Sequence, residues 1–453
     1  MMPFILNDTI AALATPPGEG GIAIIRISGN EALLVASKIF QGPIFSYMSH
    51  TVHLGKIMDM QGNIIDETLC LVMKAPKSFT GEDTVELHCH GGSVIAKAVL
   101  SLLIKAGARM ARPGEFSLRA FMNGKIDLAQ AEAIQHVISA KNSQALRAAE
   151  QQLQGALSHK ILSFQKQLLR SAAILEAWVD FPEEGLEFTS LTELLHDIDS
   201  VQTEMQKLSD TFEEGKILQE GLTLCLSGPP NAGKSSLMNA LLGKERAIVT
   251  DIPGTTRDLL EEALRLDDLH FRIIDTAGIR TTEELIEQEG IRRSKQAMQE
   301  ADLVLLLFDG TNTSQELCQE FLATTPQERT LIVFNKKDLS FFNPPCLSCP
   351  SVHLSAMTGD GLEQLKRIIY DFIWKKGPPS HDEVLLSSHR HKQALDRSIE
   401  HLIYVKQGLQ EERSPELLCF DIRRSLFELG TIIGMNVPEE ILSTIFSTFC
   451  VGK

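Results

Sequence analysis

At 453 residues the chain is longer than one hydrophobic core organises, so two or three domains are expected. Its 43% hydrophobic and 23% charged residues are those of a globular protein, and no apolar run reaches the roughly 18 residues that span a bilayer. A net charge of −16 argues against nucleic-acid binding by bulk electrostatics. The first 130 residues carry 11 basic and 11 acidic side chains, so the acidic excess lies downstream. A nucleic-acid partner must therefore be met at a local patch or through another protein. The N-terminus lacks the basic, apolar, small-residue progression of a signal peptide, so a cytoplasmic location without membrane contact is expected.

Residues 1–122 mix short β-like runs (Ile22–Ile27, Thr68–Met73, Thr84–His88) with Gly and Pro punctuation and a helical run near Val94–Lys105. This texture predicts an α+β domain. Residues 123–220 turn helical: Leu146, Leu153, Leu157, Ile161, Leu168 and Leu175 recur at spacings that keep one face apolar. From 221 to 376, apolar runs at Leu222–Ser227, Phe271–Asp275, Leu303–Phe308, Leu331–Asn335 and Ser351–Ser355 read as buried parallel strands between helices. Helices resume over 377–453, one containing Leu417, Phe420 and Phe427 and a last one at Pro438–Phe449. Asn436 is expected to cap that last helix, with Pro438 in its first turn and Glu439 completing a capping box. Its apolar face, Leu442, Ile445, Phe446 and Phe449, should dock on the bundle, and Cys450 should point to the same protected side. The predicted fold is a multidomain α/β chain: an N-terminal α+β domain and an α-helical bundle into which a Ras-like P-loop domain is inserted.

Gly228-Pro-Pro-Asn-Ala-Gly-Lys234-Ser235 follows a predicted strand and matches the phosphate-binding loop G-x-x-x-x-G-K-[ST]. Glycines let backbone N–H groups wrap phosphates, Lys234 neutralises the terminal ones, and the Ser235 hydroxyl suits Mg²⁺. Asp275-Thr276-Ala277-Gly278 closes a second strand, with Asp275 placed to hold Mg²⁺ through water and the Gly278 N–H to meet a γ-phosphate. Asn335-Lys336-Lys337-Asp338 closes another. The Asp338 carboxylate matches the paired donors of guanine N1 and its exocyclic amine, which adenine lacks, so the nucleotide is GTP. Ser355-Ala356 fits the backbone contact to the guanine carbonyl, and Thr256 in Gly254-Thr255-Thr256-Arg257-Asp258 supplies a second hydroxyl to Mg²⁺. Ile279 follows Gly278 where Ras-like enzymes carry a water-orienting glutamine. No arginine finger is obvious, although Arg257 and Arg280 are candidates. Asn231, with carbonyls of the Thr250–Thr255 loop, is a candidate holder of a monovalent cation, and Glu287 a candidate to orient water.

The whole chain resembles the MnmE (TrmE) family of tRNA-modification GTPases. The resemblance rests on Ala14-Thr-Pro-Pro-Gly18, Arg26-Ile-Ser-Gly29, Phe79-Thr-Gly-Glu-Asp83, Gly91-Gly92 and Arg112-Pro-Gly-Glu-Phe116. It continues through Asn123-Gly-Lys125-Ile-Asp-Leu-Ala-Gln-Ala-Glu-Ala133, the nucleotide motifs and the tail Cys450-Val-Gly-Lys453. It implies a homodimer that joins the flavoprotein MnmG, which carries the FAD, in a heterotetramer. It also implies that the N-terminal domain binds a one-carbon tetrahydrofolate and dimerises. The pair adds an aminomethyl or carboxymethylaminomethyl group to carbon 5 of the wobble uridine of certain tRNAs. The GTPase is implied to be potassium-activated, with Asn231, Thr250, Ile252 and Thr255 on K⁺, Ser235 and Thr256 on Mg²⁺, and Glu287 on water. The implied GTP contacts are Asn231, Ala232, Gly233, Lys234, Ser235 and Ser236, then the loop Thr250, Asp251, Ile252, Pro253, Gly254, Thr255 and Thr256. Asp275 to Gly278, Asn335 to Asp338 and Ser355-Ala356-Met357 complete the set. Arg26, Glu86, Lys125 and Lys453 fall where the family contacts folate, and Cys450 on its tail cysteine near the transferred carbon. Two departures are Met357 in place of a common lysine and Glu19 at a position that is basic in some relatives.

Ordinary readings compete at several of these positions. Arg26 by pattern alone is an exposed strand residue, Glu287 part of a solvated acidic helix start, and Cys450 an inert thiol at a frayed end. His88 and His90 share a strand face and Cys346 and Cys349 have metal-like spacing, but neither pair has the further ligands zinc requires. The segment Leu339–Pro350 suggests no role by sequence. The rival function is an Era-like regulatory GTPase that binds RNA or ribosomes without modification chemistry. It should bring a basic RNA-binding module, and none is visible.

Overall fold

A computed structural model describes residues 8–180, 190–243, 263–266, 269–275, 296–347, 350–375, 377–380 and 383–452. Near the N-terminus seven strands form one sheet: β1 (Ile10–Leu13), β2 (Ile22–Ser28), β3 (Phe40–Gln41), β4 (Thr51–Met58), β5 (Ile64–Met73), β6 (Thr84–His90) and β7 (Arg109–Met110). Their spatial order is β3-β4-β5-β6-β2-β1-β7, antiparallel except where β7 joins β1. Alternation along each strand separates two faces. Ile25, Ile27, Val72, Val85 and Leu87 pack with residues of helices Ala32–Ser37 and Ser93–Ala106. The other face carries two rows in register, Val52–Leu71–Glu86–Arg26 and Leu54–Leu69–His88–Ile24. The first row makes Glu86 and Arg26 direct cross-strand neighbours, the spacing at which opposite charges pair.

The helical part combines Leu128–Ser139, Ser143–Leu153, Ala156–Asp180, Leu191–Asp210 and Phe212–Glu220 with His389–Gln410 and Pro415–Ile433 from beyond the nucleotide region. Leu157, Ile161, Leu168 and Leu175 share one core with Leu194, Met205, Leu395, Leu402, Ile422 and Leu429. Leu146 and Leu153 do not continue that stripe, and Leu146 is 39% exposed. The helix breaks at Gly155, whose φ of +89° favours glycine. Ser143–Leu153 therefore buries its own face of Ala145, Ala149 and Gln152, with Gln152 Nε2 donating to Ala129 O at 2.9 Å. Leu417, Phe420 and Phe427 do lie on one helix, Pro415–Ile433, but on its exposed side.

One ionic cluster ties the two halves together. Arg390 donates to Glu132 (Nε–Oε1 2.9 Å, Nη2–Oε2 3.2 Å) and to the carbonyls of Thr431 and Ile432 at 2.6 and 2.9 Å. Those carbonyls lie in the last turn of helix Pro415–Ile433, where Thr431 O also accepts from the Gly434 N–H at 3.3 Å. His391 Nε2 lies 2.6 Å from Glu132 Oε2. Burial pushes the Glu132 carboxyl up, but the charges and hydrogen bonds of His391 and Arg390 outweigh it and hold the pKa at about 2.

The second sheet has β8 (Leu222–Ser227), β9 (Ala263–Leu266), β10 (Leu269–Asp275), β11 (Leu303–Asp309), β12 (Thr330–Asn335) and β13 (Ser351–His353), in the order β13-β12-β11-β8-β10-β9. All neighbours are parallel except β9 and β10. Its central strands are continuous apolar runs because both faces are covered: Leu303–Phe308 and Leu331–Phe334 are fully buried. The expected run Ser351–Ser355 stops at His353, and Leu354 and Ser355 enter the following loop. In such a sheet, ligands sit beyond the carboxyl ends of the strands.

The last helix spans Glu439–Ser447 and is not capped by Asn436. Asn436 has φ +56°, Pro438 occupies the N-cap position, and no side chain caps the helix. Gly434 and Met435 close the preceding helix through Met435 N to Gly430 O, and that turn leaves Asn436 out of capping geometry. Leu442, Phe446 and Phe449 pack with Leu118, Leu128 and Ala131, as the apolar face predicts. Helix Glu115–Met122 meets this tail through Gly114, where an added Cβ would lie 2.4 Å from Phe446 O. Gly114 also has φ +65° and donates its N–H to Cys450 O at 3.3 Å. Gly114→Val is expected to undock the terminal helix and to cost about 2 kcal/mol by overpacking and backbone strain. Thermal melting and limited proteolysis of the tail would measure this; an unchanged melt with a protected tail would contradict it.

Candidate functional site

Ser227 ends β8, and the chain turns through Gly228 (φ +142°), Asn231 (φ +61°) and Gly233 (φ +95°) before helix Lys234–Leu242 starts. Close approach, as well as φ, demands glycine twice. A Cβ on Gly228 would lie 2.0 Å from Leu307 O, and one on Gly233 2.2 Å from Asn335 Nδ2. The loop thus presses on the ends of β11 and β12 and aims the first N–H groups of a helix at its hollow, an arrangement suited to phosphate. Lys234 Nζ donates to Gly228 O and Pro229 O at 2.8 and 2.9 Å, which holds the ammonium over the loop. Phosphate oxygens, being charged, would outcompete those carbonyls. Ser235, Ser236 and Asn231 are exposed at the loop surface, while Ala232 is buried.

Asn335, 3% exposed at the end of β12, joins the two sides of the site. Its Nδ2 donates to Ala232 O at 3.0 Å, and its Oδ1 accepts from Ala356 N at 2.9 Å. One side chain therefore sets the phosphate loop against the loop after β13. Lys336 follows with φ +69°, Lys337 pairs with Asp360 at 3.0 Å, and Asp338 is exposed at the next turn. Ser355 is buried, its Oγ accepting from Thr358 N at 3.2 Å, and Met357 is 89% exposed beside it. These groups come together from three loops. Thr250, Asp251, Ile252, Pro253, Gly254, Thr255, Thr256, Arg257, Thr276, Ala277, Gly278, Ile279, Arg280 and Glu287 lie outside the described residues, as does the side chain of Asp275. Of the expected metal holders, only Ser235 for Mg²⁺ and Asn231 for K⁺ are described; both are accessible.

On the open face of the first sheet, Arg26 Nε donates to Glu86 Oε1 at 2.7 Å. The Arg26 guanidinium also lies over the Phe116 ring, 5.7 Å from its centroid, and donates from Nη1 to Gly452 O at 3.2 Å. His88 Nε2 approaches Glu86 Oε2 at 3.3 Å. His90 turns away to Asp66, with Nδ1–Oδ1 2.7 Å, so the two histidines serve different carboxylates. Lys125 is exposed and donates to Pro76 O at 3.0 Å rather than to Glu86, so the structure pairs two of the four expected folate residues and leaves Lys125 apart. Lys453 lies outside the described residues. Cys450 is exposed, contrary to the expectation that it shares the protected side with Phe446. The helix ends at Ser447, so helical phase no longer governs residue 450. Sequence pattern missed Phe116 and the Gly452 carbonyl as partners of Arg26; a backbone acceptor 426 residues away leaves no local signal.

The family description "GTP-binding protein TrmE N-terminus" matches residues 9–125, and "MnmE helical domain" matches residues 128–450. A tRNA modification GTPase MnmE of Protochlamydia amoebophila is 58% identical over 100% of this chain and 99% of its own. One from Chlamydia felis is 45% identical over 99% of this chain and 100% of its own. Among solved structures, the G domain of the T. maritima FeoB iron transporter is 28% identical over 33% of this chain and 98% of its own, with a TM-score of 0.25. Full-length identity of this order, joined to the matches over both flanking regions, makes this chain a member of the MnmE family of tRNA modification GTPases.

Proposed function

We propose that the chain hydrolyses GTP and, as a homodimer with the flavoprotein MnmG, takes part in adding an aminomethyl or carboxymethylaminomethyl group to wobble uridine of tRNA. The observation that carries the GTP reading is Asn335, which holds the phosphate loop and the guanine-side loop in one constellation. In this reading Lys234 and the backbone of residues 231–236 bind the phosphates. Asp338 and Ala356 read the guanine edge, and Met357 lies against the base. Ser235 with Thr256 would hold Mg²⁺, which supplies charge neutralisation on the β- and γ-oxygens. Asn231 with Thr250, Ile252 and Thr255 would hold K⁺, and Glu287 would orient the attacking water.

The Arg26–Glu86 pair supports the one-carbon reading. A tetrahydrofolate has an amide-like pterin edge that donates to a carboxylate and a glutamate tail that accepts from basic groups, and Glu86 and Arg26 offer both types. Arg26 also touches the tail carbonyl two residues past the exposed Cys450, which supports a place for that thiol beside the transferred carbon. The test is mass spectrometry of wobble uridines in tRNA from a deletion strain carrying either the intact chain or Cys450→Ser. The intact chain should restore the modification and Cys450→Ser should not, while the purified variant keeps its melting temperature and GTP turnover. Absence of restoration by the intact chain would remove the modification reading. Normal modification with Cys450→Ser would remove the thiol from it.

A further inference from the structure

We propose that Asp309, outside all the nucleotide motifs, is a positioning residue that fixes Lys336 as the platform on which the guanine base rests. This rests on the GTP reading above and assigns the guanine site a further determinant. Asp309 ends β11 one strand away from the site. Its Oδ2 accepts from Lys336 Nζ at 2.5 Å, and its Oδ1 accepts from Thr311 N at 3.0 Å and Thr311 Oγ1 at 2.7 Å. Lys336 itself sits at φ +69°, a conformation that lysine rarely adopts and that its surroundings must impose. With the ammonium held at Asp309, the four-carbon stem of Lys336 is tethered at both ends. A stem held in this way presents a flat apolar edge without spending rotamer entropy when a purine arrives.

The turn that carries Asp309 is itself braced. Asn343 N donates to Gly310 O at 2.9 Å, and the Phe342 ring lies so near that a Cβ on Gly310 would be 2.2 Å from it. Phe342 meets the His353 ring edge-on at 5.4 Å, and His353 meets Phe334 at 5.7 Å. This gives a task to the start of the segment Leu339–Pro350: it closes over residue 310 and keeps the Asp309 carboxylate aimed at Lys336. Burial raises the Asp309 pKa, but the hydrogen bonds from Lys336 and Thr311 outweigh it and hold the group below the usual carboxylate range. The carboxylate is therefore charged at neutral pH.

Asp309→Asn keeps the oxygen that serves Thr311 and replaces only the one facing Lys336. Titration of the full-length chain with a fluorescent N-methylanthraniloyl-GDP in Mg²⁺ should show affinity about tenfold weaker for Asp309→Asn, the scale of one lost charge-assisted bond. Because the base contact is the same in ground and transition state, KM for GTP should rise while kcat stays within about twofold. In a Lys336→Met background, which keeps the stem without the charge, Asp309→Asn should add no further loss. An undiminished affinity for Asp309→Asn, a full second tenfold loss in the Lys336→Met background, or an equal fall in kcat would each overturn the assignment while leaving the guanine site intact. Failure of the unaltered chain to bind the fluorescent GDP would remove the site and this assignment together.

Discussion

GTP hydrolysis is expected to run at least about a hundredfold faster in potassium than in sodium at equal ionic strength. Ile279, at the position after Gly278, has no atom that can orient water, and the sequence shows no obvious arginine finger beyond the candidates Arg257 and Arg280. An arginine finger is worth roughly 10³–10⁵ in rate, so an enzyme without one needs another cation against the phosphates. Asn231 stands on the phosphate loop with φ +61° and an exposed side chain, where its amide oxygen is free to face an ion. Sodium, smaller and more tightly hydrated, fits a ring of loop carbonyls less well than potassium. Asn231→Ala should abolish the difference between the two salts while leaving GDP affinity nearly intact, because the ion acts chiefly on transition-state charge. Equal rates in both salts, or an Asn231→Ala protein that still responds to potassium, would discard this account.

Asn335→Ala should weaken guanine-nucleotide binding by about 10² to 10⁴. The substitution strips a donor from Ala232 O and an acceptor from Ala356 N, both in buried surroundings. An orphaned buried polar group costs about 1–3 kcal/mol, and two of them convert to this range of affinity. The loss falls on binding because the alanine no longer sets the two loops at the distance one nucleotide spans. Asn335→Asp keeps the acceptor for Ala356 N and should lie between the two. Isothermal titration with GDP would measure both, and an Asn335→Ala affinity within threefold of the unaltered chain would mean the loops hold their places independently.

The parts legible in the sequence are those where one residue type is forced by backbone or by chemistry. The phosphate loop is visible because its turn needs Gly228 and Gly233, which sit at positive φ and within contact of neighbouring backbone or side-chain atoms. The buried strands of the second sheet are visible because Leu303–Phe308 and Leu331–Phe334 are apolar on both faces. β4 has no such signature: its Val52 and Leu54 point to the open face, so burial does not mark the strand. The terminal helix was readable in its apolar face but not at its start, because the cap was decided by the turn that ends the previous helix at Gly434. At the sites, motifs name Asn335 and Lys234, whereas Asp309 and the Gly452 carbonyl matter through partners that only the folded chain brings near.

The helical core is written in two instalments. Leu157, Ile161, Leu168 and Leu175 leave the ribosome early, but Leu395, Leu402, Ile422 and Leu429, which cover them, are encoded after the whole nucleotide region. Parallel strands β8, β10, β11 and β12 draw their partners from within that region, so it can complete its sheet while the first helices still wait. A nascent chain stopped before residue 389 would display the uncovered stripe of helix Ala156–Asp180 and leave Glu132 without Arg390 and His391. Such a product presents a broad apolar surface around an unpaired acid, the kind of surface that chaperones hold and proteases clear. The segment His389–Ile433 thus doubles as a completion mark: the bundle closes only on chains translated through it.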